Sequence, residues 1–189
     1  MGLRRLWKLR IPDEVESAQV APLLCAGLIV YSALKRSMTV PGQWVVISGT
    51  EDGLGHLAVQ FASKRIGLRL IGIDQGQKAE LAKNSASYRR GLYGFVNSLT
   101  GRLGAHTVIV CTAANSAHSQ GVQFLRFGST LVWVGLPAGE QKPIASATPG
   151  GLIAKQLKIM ESAVGNRIVP RRCCSSLLGE SFRPTYRRC

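Results

Sequence analysis

VVISGTEDGLGHLAVQ, residues 45–60, opens with β-branched residues, passes through a tight glycine turn, and continues into an apolar segment of helical spacing. That order predicts a strand at Trp44–Ser48 and a helix from about Leu54 to Arg65, with Leu57, Ala58, Phe61 and Ala62 on one face. Gly49 ends the strand, Gly53 and Gly55 open the helix, and Asp74 closes a second apolar run, LRLIGID, 19 residues after Gly55. In a dinucleotide site the first glycine allows the turn and a middle one lets phosphates approach the backbone. The last lets helix and strand pack closely, and an acid at the second strand end accepts ribose hydroxyls. The helix N-terminus supplies free N–H groups and partial positive charge. Strand, turn, helix, strand and acid in register make this more specific than a lone glycine pattern. The bland alternative is a structural turn. Glu51 and Asp52 sit in the turn, where a carboxylate opposes a phosphate; as sequence neighbours they read as exposed turn residues rather than a catalytic acid pair.

Outward from this core the pattern continues. APLLCAGLIVYSALK (21–35) reads as an apolar helix, with Asp13 and Glu16 as a weak capping box before it, and PGQ (41–43) breaks it. KAELAK (78–83) is a helix, HTVIVCT (106–112) a third strand, AHSQGVQFLR (117–126) a helix, STLVWVGL (129–136) a fourth strand and LKIMESAV (157–164) a fifth. Between Lys83 and His106 the residues offer a helix around Gly91–Leu99 and no strand, where a complete dinucleotide fold would have one. The expected fold is therefore α/β, a Rossmann-like doubly wound parallel sheet lacking its third strand. The expected organisation is a basic extension (1–10), a linking helical segment (11–43), an incomplete NAD-binding domain (44–167) and a poorly ordered tail (168–189).

The net charge of +14 suggests a nucleic-acid partner, but residues 1–10 and 166–189 hold about two-thirds of the excess. No aromatic ladder or basic groove pattern lies between them, so nucleic acid is not an expected partner. Five cysteines without a C-x-x-C spacing signal neither a disulfide framework nor a zinc knuckle, and a reducing, cytoplasmic setting is expected. The uncharged apolar stretch Ser17–Leu34 is interrupted by Gln19 and Pro22 and reads as a buried helix rather than a membrane span. Read alone, Cys25 is a small buried hydrophobe, His56, His106 and His118 form no ligand pair, and His118 has no neighbouring acid to orient it. No catalytic residue is assigned.

Taken together, IPDEV, APLLCAGLIVYSALK, PGQWVVISG, GLGHLAVQFA, GLRLIGID, LTGRLGAH, GSTLVWVGLPAG and SAVGNR resemble the zinc-dependent alcohol dehydrogenases of the medium-chain superfamily, over residues 11 to about 167. The resemblance implies hydride transfer between NAD and an alcohol or aldehyde, with zinc as Lewis acid. It implies that Cys25 is the third protein ligand of a catalytic zinc, a site type known to use two cysteines and one histidine. It also implies that Gly49, Gly53, Leu54 and Gly55 meet the pyrophosphate, Asp74 and Lys78 the adenosine ribose, Val134 and Leu136 the nicotinamide side, with Ser162 and Val164 at the end of the last strand.

The chain departs from that pattern. The family's GroES-like catalytic domain has no counterpart in it, and with that domain go the other zinc ligands. The segment between Leu81 and Thr100 is shorter than the family's, and Asp52 stands where the fingerprint has glycine. A carboxylate about 4 Å from a phosphate costs roughly 1 kcal/mol in water-like surroundings and about 4 at an effective dielectric near 20. That corresponds to between roughly fivefold and about a thousandfold in affinity. The expectation is a chain truncated to the cofactor-binding portion, with weak or lost NAD binding and no activity alone. Two alternatives are a non-catalytic module that binds dinucleotide or pairs with dehydrogenase subunits, as a homo- or hetero-oligomer, and a zinc-free quinone-reductase-like enzyme. Asp74 and Cys25 speak against the second.

Overall fold

The computed structural model describes residues 16–74, 92–140, 142–144 and 146–164. Among these residues five parallel strands form one sheet: β1 (Trp44–Ser48), β2 (Arg69–Ile73), β3 (Ala105–Val110), β4 (Leu125–Trp133) and β5 (Lys158–Glu161), in the order β2-β1-β3-β4-β5. Among the described residues this is the doubly wound order without the strand that would flank β2, and nothing there pairs with the outer edge of β2. Residues 75–91, where the KAELAK helix was expected, lie outside the described residues, as do residues 1–15 and the tail.

The strands form because β-branched residues fill both faces of a sheet that is covered twice. Along β1, Val45 and Ile47 face one core and Val46 the other. The first core packs Leu28, Val30, Ala33 and Leu34 of helix α2 (Leu28–Arg36) and Ala58 of α3 (Gly53–Gln60) against Val45, Ile47, Ile109 and Val132. The second packs Val96 of α4 (Leu92–Leu99) and Ala117 of α5 (Asn115–Gly121) against Val46, Ile71, Val108 and Leu131. A short α6 (Pro149–Lys155), capped by the Thr148 hydroxyl accepting from Gly151 N, precedes β5.

The long apolar helix extends beyond its predicted span. It begins as α1 (Ser17–Pro22), widens into a π-helical turn at Leu23–Gly27, and continues as α2. Pro22 lacks an N–H and cannot close an ordinary helical hydrogen bond, which places the widened turn directly after it. Glu16 occupies the N-cap position without a side-chain capping bond, and Asp13 lies outside the described residues.

Strand β1 falls where the sequence placed it, and β2 and β3 differ by one or two residues at their ends. Helix α5 starts at Asn115 and ends in a 3-10 turn at Val122–Phe124, so Leu125 and Arg126, expected in a helix, belong to β4. The cause is Gly128, whose φ of 70° makes a bulge inside the strand rather than a break before it. The pairing register accordingly slips between Ala105↔Leu125 and Thr107↔Thr130. Strand β5 is shorter than predicted.

Candidate functional site

The carboxyl ends of all five strands lie along one edge of the sheet, and most of the predicted site residues gather there. Gly49 follows β1, Asp74 follows β2, Val134 and Leu136 follow β4, and Ser162 and Val164 follow β5. The chain winds outward from β1 to β2 and then returns to β3 on the other side, so the switch point lies between β1 and β3.

At that point three glycines do three different things. Gly49 has φ 83°, and a Cβ on it would lie 2.9 Å from Thr112 Cβ, so the turn closes against the end of β3. A Cβ on Gly55 would run into Gly49 O and stand 2.6 Å from Gly49 C and 2.8 Å from Thr50 Cα, so α3 seats directly on the turn. A Cβ on Gly53, at the first position of α3, would meet none of the described residues within 4 Å. The open space therefore lies over the N-terminus of α3, where unpaired backbone N–H groups converge.

The Glu51 N–H donates to Asp74 Oδ2 at 2.7 Å, which ties the turn to the end of β2. Glu51 is not the exposed turn residue the sequence suggested: it is half-buried and both its carboxylate oxygens are shielded from solvent. Asp52 is exposed, in extended backbone as the N-cap residue of α3, with no side-chain capping bond. Its charge reaches the buried Cys111 at the end of β3, where burial first and the Asp52 carboxylate second push the thiol up to about 12.

On the β4 side, Val134 N and Gly135 N both donate to Val110 O, at 3.0 and 2.9 Å, and this fork ends the ladder and turns the chain over the site. A Cβ on Gly135 would lie 2.7 Å from Thr112 C. His118, expected in the 117–126 helix with no acid to orient it, is buried with Nδ1 3.0 Å from Ala114 O and Nε2 3.1 Å from Gly135 O. His118, Thr112 and Gly135 thus fix the loop that carries Leu136. Only the glycine inside VWVGL hinted at this close approach. Leu136 is 84% exposed, whereas Ser162 is 4% exposed, and among the described residues its Oγ has no hydrogen-bond partner. Ser162 N donates to Trp133 O at 2.9 Å, holding that hydroxyl beside the end of β4.

Two predicted residues stand apart. Lys78 lies outside the described residues. Cys25 lies in the π-helical turn and is exposed, which corrects its reading as a buried hydrophobe. Among the described residues no three His, Cys, Asp or Glu side chains come together as a metal site. A catalytic zinc takes three protein ligands, so the described residues do not fit one.

A family model described as zinc-binding dehydrogenase matches residues 53–178. The chain belongs to the zinc-binding dehydrogenase family. Alcohol dehydrogenase 2 of Emericella nidulans is 52% identical over 171 residues, covering 83% of this chain and 47% of that protein. The chain spans about half the length of the curated alcohol dehydrogenases it matches. Among solved structures, the alcohol dehydrogenase of Aeropyrum pernix aligns with TM-score 0.76 at 24% identity, covering 89% of this chain and 50% of that one. The acetophenone reductase of Geotrichum candidum in complex with NAD aligns with TM-score 0.74 at 18% identity, covering 93% and 50%. These last two likenesses concern the fold.

Proposed function

We propose that this zinc-binding dehydrogenase chain is the NAD-binding part of an alcohol dehydrogenase. In this reading the dinucleotide lies across the carboxyl ends of the strands, and residues 44–167 act as the cofactor domain. The observation that carries it is the division of labour among the glycines: Gly49 and Gly55 have no room for a side chain, while Gly53 faces open space at a helix N-terminus. The pyrophosphate occupies that space and accepts from the amides of Gly53, Leu54 and Gly55. Asp74 accepts from the adenosine ribose hydroxyls, with Lys78 assigned to the same region. Because Asp74 also accepts from Glu51 N–H, the pyrophosphate turn and the ribose end are held in one frame.

On the nicotinamide side, Val134 and Leu136 form an apolar wall that excludes water, and Val164 extends it beyond β5. Ser162 Oγ, buried and without a hydrogen-bond partner among the described residues, offers a donor and an acceptor to a polar group entering there. Bound NAD supplies the hydride acceptor; the chain's own residues bind and orient it. Cys25 is assigned as a zinc ligand only in an assembly whose other ligands come from elsewhere, and the chain alone is inactive toward alcohols. An oligomer with dehydrogenase subunits and a cytoplasmic location complete the reading. Among the described residues no helix is long and apolar enough to cross a membrane.

Titration of the purified chain with NADH and with NADPH, followed by nicotinamide fluorescence, tests this reading. Saturable binding that favours NADH supports it. A preference for NADPH would favour the quinone-reductase-like alternative. NADH production from NAD, zinc and ethanol would contradict inactivity alone.

A further inference from the structure

The fold segregates charge between the two ends of the sheet. Glu51, Asp52 and Asp74 stand at the carboxyl end, whereas the amino end gathers arginines from distant parts of the chain. Arg69, the first residue of β2, pairs in register with Trp44, the first of β1, and its guanidinium carbon lies 5.6 Å from the Trp44 ring centroid. Trp44 N–H donates to His106 Nδ1 at 3.1 Å, and Arg126 Nη1 stands 2.9 Å from His106 Nε2. Arg69, Trp44, His106 and Arg126 therefore form a continuous row across β2, β1, β3 and β4, about 14 Å wide at normal strand spacing.

The loop before β3 extends the row. A Cβ on Gly104 would lie 2.9 Å from Arg126 N, so this loop rests on β4 at Arg126 and brings the exposed Arg102 to the same end. Phe127, next to Arg126, is 62% exposed. Among the described residues none of Arg69, Arg102 and Arg126 pairs with a carboxylate. The Trp44 N–H occupies the lone pair of Nδ1, so the neutral ring carries its proton on Nε2 and offers Arg126 no charge compensation, and the row retains its positive charge.

We propose that this amino-terminal edge, opposite the dinucleotide crevice, binds single-stranded nucleic acid, with Arg69, Arg102 and Arg126 on phosphates and Phe127 and Trp44 meeting bases. Guanidiniums alternating with planar rings suit a chain whose phosphates alternate with bases. The rings are separate and the row is narrow, which does not suit insertion into a bilayer. The sequence concealed the surface because its members stand singly, at positions 44, 69, 102, 106, 126 and 127.

Fluorescence anisotropy of the full-length chain with a fluorescein-labelled oligouridylate of about a dozen nucleotides tests the proposal. Three phosphate contacts predict a loss of about twentyfold in affinity between about 50 and 200 mM salt. Arg69→Glu with Arg126→Glu is expected to weaken binding at least tenfold at the lower salt, and saturating NADH to leave it unchanged. Arg69→Glu with Arg102→Glu changes only exposed side chains and should give the same loss where the first pair disturbs folding. Undiminished binding by folded variants of both pairs would assign it to the basic termini and overturn the proposal. So would displacement by NADH, or absence of oligouridylate binding alongside capture by phosphatidylserine vesicles.

Discussion

The backbone N–H of Glu51 and the carboxylate of Asp74 meet at 2.7 Å, joining the turn after β1 to the end of β2. Residues 23 positions apart are thereby locked across two adjacent strands, so the acid assigned to the ribose also shapes the turn assigned to the pyrophosphate. Asp74→Ala removes the acceptor and should cost about 1–2 kcal/mol of stability, read as a lower urea midpoint. Asp74→Asn keeps an oxygen acceptor and should recover at least half of that loss. Equal losses in the two variants would mean that charge, not the hydrogen bond, matters at this position.

Gly53 and Gly55 are two residues apart and should respond oppositely. Gly55→Ala drives a methyl into the backbone of Gly49 and Thr50 and should destabilise the fold by about 3 kcal/mol or more. Gly53→Ala meets no atom within 4 Å and should leave stability unchanged or raise it by up to about 1 kcal/mol, while weakening NADH binding. Thermal melts beside NADH titrations separate the two effects.

The fold was largely readable in the sequence because β-branched runs buried on both faces have few other uses. VVIS and TVIV became β1 and β3 within a residue or two. Gly128 misled because a glycine in a bulge and a glycine at a break look alike until strand pairing is known. The glycine turn and Asp74 were legible because they are local. The supports of the opposite wall, His118 against Gly135 O and Gly135 against Thr112, arise only when distant segments pack.

Asp52 stands exposed at the first turn of α3, so the water-like estimate of its cost to phosphate binding applies. Asp52→Asn should tighten NADH binding about fivefold at low salt, and the gain should shrink as salt screens the charge. An unchanged affinity would place the phosphates away from α3.

Cys25 and Cys111 should differ sharply as thiols. Cys111 is buried with its thiol pushed up to about 12, whereas Cys25 is exposed. Iodoacetamide near neutral pH should therefore modify Cys25 in the native chain and Cys111 only after denaturation, as peptide mass spectrometry can resolve. A thiol raised from 9.0 contributes stability that is complete below that pH and declines as pH climbs toward about 12. The decline should be smaller in Cys111→Ala than in the parent chain.

The measurement that bears most directly on the chain as a dinucleotide-binding unit is an NADH titration of the purified full chain beside Gly53→Ala. Saturable binding to the parent, weaker binding to the folded variant, and poorer binding of NADPH to both are expected. Equal NADH affinity in parent and variant, or no saturable binding by a parent shown to be folded, would contradict it.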